Sequence, residues 1–210
     1  FLLGALLQRR DGGGEVDFSN LDGLIPDIYR NRERELRALA SPRFLKSHEP
    51  YDPRVRRAVY MVRDPRSVAT SYYFFLQRER RLAPDEPIAA FLPRFLRGEL
   101  DRYGTWDAHV EGWLAAERDN PGVVVLGYEE MRADPLPGAR RAALALGLPD
   151  DDEALAAAIK ASSFDRMQRL DRGRTAEADP GLKGKDLGIL FVRKGKPDEW
   201  REHLDRHCLA

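Results

Sequence analysis

The sequence has 210 residues, long enough to bury one substantial core without help from metals or disulfides. Its 35 basic and 35 acidic side chains cancel, and the arginine and lysine clusters alternate with Asp and Glu as on solvated helix faces, which sets nucleic acid aside as an expected partner. A single cysteine, Cys208, rules out an intrachain disulfide and a thiolate metal site and suits a reducing cytoplasm, while the longest apolar run, Phe1–Leu7, is too short to span a bilayer or serve as a signal peptide.

In chain order, Phe1–Gln8 turns from apolar to basic as the middle of a helix does. Asp11–Asn20 is irregular, and its Gly12-Gly13-Gly14 lacks a following Lys-Ser/Thr, so it is expected to be a surface loop rather than a phosphate cradle. Three short runs rich in β-branched or aromatic residues, Arg43–Ser47, Ala58–Val62 and Val123–Leu126, predict buried strands. Helical patterns cover Pro65–Arg81, Pro87–Arg97, Trp106–Arg118, Leu136–Leu146, Asp151–Ala161 and Pro197–Asp205, and Asp171–Asp186 is expected to be a loop. Strands alternating with helices imply parallel pairing in a layered α/β domain. No internal repeat or linker divides the chain, so 1–210 is expected to be one domain. It opens inside one helix and closes on Trp200–Ala210 as an unfinished one, as if truncated at both ends.

Local chemistry singles out a few positions. Asp64 can cap the helix that begins at Pro65, where proline needs no N–H, so Arg63 falls at a strand-to-helix turn. The carboxyl ends of parallel strands and the amides of such a helix start are where anions bind, and guanidinium is a permanently charged fork suited to phosphate. Lys46 and His48 lie two apart, so in an extended segment they share a face. Thr105 suits a helix start. Trp106 and Trp113 lie seven apart on one helix face and are expected mainly in the core, with some lining of a pocket, and His109, with no ligand spacing around it, is expected to pack.

The segment Ala58-Val-Tyr-Met-Val-Arg-Asp-Pro-Arg-Ser-Val-Ala-Thr-Ser-Tyr-Tyr-Phe-Phe74 is similar to the 3′-phosphate-binding segment of cytosolic-type sulfotransferases, enzymes that use 3′-phosphoadenosine 5′-phosphosulfate (PAPS) as donor. The resemblance assigns Arg63 and Ser71 to the donor's 3′-phosphate. Phe44-Leu-Lys-Ser-His-Glu-Pro50 resembles the family's Lys-Thr-His-x-Pro strand end. It implies His48 as the general base that takes the acceptor proton and Lys46 as the cation beside the transferring sulfonate. Glu49 stands where the family has an apolar residue, which bears on acceptor polarity.

Gly104-Thr-Trp-Asp-Ala-His-Val-Glu-Gly-Trp113 resembles the family's Gly-Ser-Trp-x-x-His-Val-x-x-Trp. The stretch Asn120–Pro135 is similar to its strand followed by Tyr-Glu-Asp-Met, which places Tyr128 near adenine. Ser162-Ser163-Phe164 resembles a Ser-Ser-Phe segment in which Ser162 and Phe164 contact the nucleotide. Phe191-Val-Arg-Lys-Gly-Lys-Pro-Asp-Glu-Trp200 is close to Phe-x-Arg-Lys-Gly-x-x-Gly-Asp-Trp. It assigns Arg193, Lys194 and Gly195 to the 3′-phosphate, with Asp198 and Glu199 in place of the family's Gly and Asp.

The implied fold is a three-layer, mostly parallel α/β domain of the P-loop kinase-like kind. The implied product of the donor is 3′-phosphoadenosine 5′-phosphate (PAP), the acceptor is a small alcohol, phenol or amine, and no metal is required. Oligomeric state and acceptor identity stay open. The family's Pro-Lys-Ser-Gly-Thr-Thr-Trp loop for the 5′-phosphosulfate does not occur in these residues. Phe1–Gln8 resembles the helix that follows it, so the loop and one central strand are expected upstream of Phe1. The alternative is a non-catalytic module that binds 3′-phosphoadenosine nucleotides. A nucleotide kinase would need a Gly-x-x-x-x-Gly-Lys-Ser/Thr loop and a carboxylate for Mg²⁺, and neither is found.

Overall fold

The computed structural model describes residues 1–208. The chain opens with α1 (Leu2–Arg10), α2 (Leu21–Leu24) and α3 (Glu33–Ala38), then enters β1 (Ala58–Val62) and α4 (Pro65–Arg78). It continues through α5 (Ile88–Leu96), α6 (Trp106–Asp119), β2 (Val123–Gly127), α7 (Tyr128–Ala133), α8 (Pro135–Leu146), α9 (Asp152–Ala161) and α10 (Phe164–Arg172). Arg63 and Asp64 form the whole connection from β1 to α4, as expected. Asp64 caps α4 by accepting from the amides of Arg66 and Ser67, with Pro65 in the first turn.

β1 and β2 pair in parallel with Ala58 opposite Val123 and Val62 opposite Gly127, so both strands end at the same edge. Their chain continues there into Arg63 on one side and Tyr128 on the other. α8 packs against both strands and α6 against β2, the arrangement expected when helices cover a parallel sheet. One apolar cluster joins Leu6 and Leu7 of α1 to Ala139 and Ala143 of α8 and to Ala154, Leu155 and Ala158 of α9. A second joins Ala69 and Leu76 of α4 to Phe91 and Leu92 of α5, and is closed by Trp200 and Leu204.

Four sequence expectations need correction. Arg43–Ser47 is not a strand: only Lys46 pairs, in an isolated parallel bridge to Asp27, with its amide on the Pro26 carbonyl at 2.9 Å and its own carbonyl accepting from Ile28 at 3.0 Å. Phe44 packs on the first cluster while Leu45 stays exposed, so the segment lacks the two-sided burial that a central strand demands. The helix over Pro65–Arg81 stops at Arg78, because Arg80 adopts φ +54° and the Arg81 amide closes on the Leu76 carbonyl at 2.8 Å.

The expected helix over Pro197–Asp205, and over Trp200–Ala210, is one 3₁₀ turn at Glu199–Glu202, with Leu209 and Ala210 outside the described residues. Burial of both Glu199 and Trp200 there outweighs local helix preference. Trp106 and Trp113 are half-buried rather than in the core. The sequence patterns do not foresee helices α2, α3, α7 and α10.

Candidate functional site

The first group of polar residues gathers at the carboxyl edge of the sheet. Arg63 Nη1 donates to Ser71 Oγ at 3.1 Å and Nη2 to the Lys196 carbonyl at 3.4 Å, while the guanidinium carbon lies 4.3 Å from the centre of the Tyr128 ring. Parallel pairing places Arg63 and Tyr128 next to each other, because each follows a strand that ends at this edge. Ser71 reaches Arg63 because α4 begins directly after it.

Segment 191–197 closes over this edge by specific bonds. The Arg193 carbonyl accepts from Gln168 Nε2 at 2.6 Å, the Val192 amide donates to Asp171 at 2.9 Å, and Ser67 Oγ donates to the Pro197 carbonyl. Gly195 has φ +63°, and a Cβ there would lie inside the Phe164 ring's van der Waals surface, so both conformation and space require glycine. Phe164 carries the Arg132 guanidinium 5.3 Å from its ring centre. Ser162 turns its hydroxyl back onto the last carbonyls of α9, those of Ala158 at 2.8 Å and Ile159 at 3.2 Å.

Arg193 lies with its guanidinium carbon 3.8 Å from the centre of the Phe74 ring and donates to Glu199. Burial lowers its pKa, the Glu199 charge opposes that, and the Arg63 charge pushes further down. Lys194 reaches Glu202 at 2.6 Å. Arg63 Nε is buried without a hydrogen-bond partner. Two guanidinium groups that repel each other, one with a buried unpaired donor, form an arrangement that an oxyanion would complete. The residues present therefore fit a phosphate group.

The second group surrounds His48. Its amide donates to the Tyr29 hydroxyl at 2.8 Å, and its imidazole stacks on the Tyr29 ring at 5.9 Å with Tyr103 tilted 6.0 Å away. Lys46 Nζ pairs with Asp27 at 2.6 Å. The His48 pKa is lowered, first because its imidazole is desolvated between these rings, although the residue is exposed as a whole, and then by the Lys46 charge; Asp27 and Asp101 act the other way. The imidazole is thus biased toward the neutral form that can accept a proton.

His109, expected only to pack, instead bridges this group to β1. Its Nε2 faces the His48 carbonyl at 3.1 Å and its Nδ1 the Tyr60 hydroxyl at 3.0 Å. A carbonyl can only accept, so Nε2 carries the proton and Nδ1 accepts from Tyr60. Tyr60 donates as a neutral phenol, and burial, which pushes its pKa up to about 12, keeps it in that form. Tyr60 also stacks on Trp113 at 5.0 Å, which explains why that tryptophan lines this region. β1 thus carries Tyr60 beside the His48 group and runs directly into Arg63 beside the phosphate-like group, three residues further on. Sequence reasoning missed Asp27, Tyr29 and Tyr103; they sit in stretches with no motif, and only the bridge at Lys46 and the ring stacking reveal them.

Comparison with known proteins agrees with this geometry. The model of the family described as "Sulfotransferase domain" matches residues 15–209. Rat sulfotransferase 2A2 is 27% identical over 180 residues, covering 81% of this chain and 61% of that protein. Human sulfotransferase 2B1 is 30% identical over 172 residues, covering 78% of this chain and 46% of that protein.

Among solved structures, retinol dehydratase in complex with retinol and PAP superposes with a TM-score of 0.73 at 26% identity, over 83% of this chain and 53% of that one. Mouse sulfotransferase SULT7A1 complexed with PAP gives 0.67 at 26% identity, over 84% and 64%. The chain therefore spans about half to three fifths of the curated relatives it matches, and its fold is the α/β fold of these enzymes. With most of its length matched by one family model, and with helices packed on a parallel sheet whose carboxyl edge gathers the polar groups, this chain belongs to the sulfotransferase domain family.

Proposed function

We propose that this chain forms the 3′-phosphate and acceptor side of an enzyme that moves a sulfonate group from PAPS to a hydroxyl or amine of a small molecule. The observation that carries the reading is the site around Arg63: a guanidinium bonded to Ser71, stacked on Tyr128 and left with a buried unpaired Nε. In this reading the 3′-phosphate meets Arg63, Ser71, Arg193 and Lys194, with Gly195 allowing close approach. Tyr128, Phe164 and Ser162 border the base. The names of two solved relatives, both complexed with PAP, support the choice of nucleotide.

His48 accepts the proton of the acceptor O–H or N–H. The acceptor atom forms a new bond to sulfur, the sulfur–oxygen bond to the 5′-phosphate breaks, and PAP leaves with that electron pair. Lys46 offsets negative charge on the sulfonate oxygens, and Asp27 holds it in place when the donor is away. His109 and Tyr29 fix the backbone on either side of the imidazole, so His48 meets the acceptor already oriented. The single cysteine and balanced charge support a cytoplasmic setting and no nucleic-acid partner.

The test is thermal unfolding with added nucleotide. A ligand that binds only the folded state raises Tm, so PAP should raise it much more than AMP at equal concentration. Equal shifts would remove the 3′-phosphate from this site.

A further inference from the structure

Glu199 is only 4% exposed, and three side chains capable of positive charge converge on one of its oxygens. Oε1 accepts from Arg193 Nη1 and lies 3.7 Å from Lys194 Nζ and 3.4 Å from His203 Nε2, a nitrogen that is itself buried without a hydrogen-bond partner. Lys194 has a second, exposed partner in Glu202, but the bond from Arg193 runs to Glu199. Arg193 also lies over the Phe74 ring, and Phe74 packs on His203 at 4.9 Å. The carboxylate therefore sits at the back of the cluster that the proposed function assigns to phosphate. A buried negative charge at that place competes for the cations of a site that must attract an anion.

Resting on the reading that Arg193 and Lys194 meet the 3′-phosphate, we propose that Glu199 is the resident counter-anion of that site. It neutralises the cations while nucleotide is away and shares them once the phosphate arrives, and so sets how firmly the 3′-phosphorylated nucleotide is held and how readily PAP leaves. Half-buried cations without a counter-charge repel one another, so the first anion to join them gains most and the second gains less. Glu199 is that first anion, and the phosphate binds as the second. Glu199 is thus a positioning residue that acts through Arg193, and its removal has a signature opposite to that of a lost structural prop.

Glu199→Gln keeps the shape and an acceptor oxygen but removes the charge. In titration calorimetry it should bind PAP about tenfold more tightly, the scale of one charge-assisted contact, while AMP binding stays unchanged. In the same protein the Tm without nucleotide should fall and the rise produced by PAP should grow. Glu202→Gln, which removes only an exposed partner of Lys194, should change PAP affinity much less. If Glu199→Gln does not fold, Glu199→Asp serves instead: it draws the charge back by one methylene and should bind PAP at least as tightly as the unaltered protein. A clear preference for PAP over AMP in the unaltered protein, combined with weaker or unchanged PAP binding in Glu199→Gln or weaker binding in Glu199→Asp, overturns this inference alone. Equal binding of PAP and AMP by the unaltered protein overturns the parent reading and this inference with it.

Discussion

Arg63 Nη1 donates to Ser71 Oγ across 3.1 Å, tying the carboxyl edge of β1 to the middle of α4. The bond holds the guanidinium beside the start of α4, at the edge where β1 ends. Asp64, between strand and helix, does not compete for Arg63, because its carboxylate is engaged by the Arg66 and Ser67 amides and by the Arg66 guanidinium at 2.5 Å.

Arg63→Ala should erase the difference between PAP and AMP in thermal-shift measurements and weaken PAP binding at least tenfold, since a charge-assisted contact contributes about 1.5–3 kcal/mol. Ser71→Ala should weaken PAP less, because it removes a neutral donor and leaves both guanidinium groups. A variant at Arg63 that still separates the two nucleotides would move the 3′-phosphate elsewhere.

His48→Ala in the full-length gene product should lower the transfer rate about 10²- to 10⁴-fold while PAP affinity changes little, because a general base acts on the acceptor. The pH profile offers a second check. The His48 pKa is held below its ordinary 6.5 by desolvation and then by Lys46, so the imidazole is neutral above that lowered value and the acid limb of the rate should lie below pH 6.5. Lys46→Met removes a positive neighbour, which makes the imidazolium less costly. Its acid limb should therefore move to higher pH even as the rate falls, and a stationary limb would separate Lys46 from His48 electrostatically.

Gly195→Ala should cost about 1–2 kcal/mol from its left-handed backbone alone, and more from the contact with Phe164. Chemical denaturation would measure the stability loss, and PAP titration should show weaker binding, since relief of the contact displaces either Phe164 or segment 191–197. Gly14, where an added Cβ meets nothing, serves as the control: Gly14→Ala should leave PAP affinity unchanged.

Asp64→Ala should lower stability by about 1 kcal/mol, the usual loss for a helix cap. The Arg66 guanidinium holds the Asp64 carboxyl below its ordinary 3.8, so the ionised cap stabilises the fold above that value and its contribution fades as pH falls through the lowered one. The stability gap between the unaltered protein and Asp64→Ala should accordingly narrow in acid. A gap that stays constant down to strongly acid pH would mean that the carboxylate charge contributes nothing to the cap.

Much of the frame was legible in the chain itself. β1 and β2 announced themselves as short β-branched runs, and Asp64-Pro65 marked the helix start, because these features arise from side-chain shape and backbone donors within a few residues. Arg63 could be placed at the strand-to-helix turn on the same grounds, and the resemblance assigned it and Ser71 to one phosphate, whereas their direct bond came from the tertiary structure. The tertiary structure decided what depends on distant neighbours. Lys46 lies in a lone bridge to Asp27 rather than in a strand, since a strand is defined by its partner and none of its own residues can supply one. Glu199 became a buried counter-ion because Arg193, Lys194 and His203 converge on it, and the expected helix there gave way to a single turn. The role of His109 was likewise invisible in spacing: its two nitrogens acquire meaning only when β1 and the His48 segment are folded against α6.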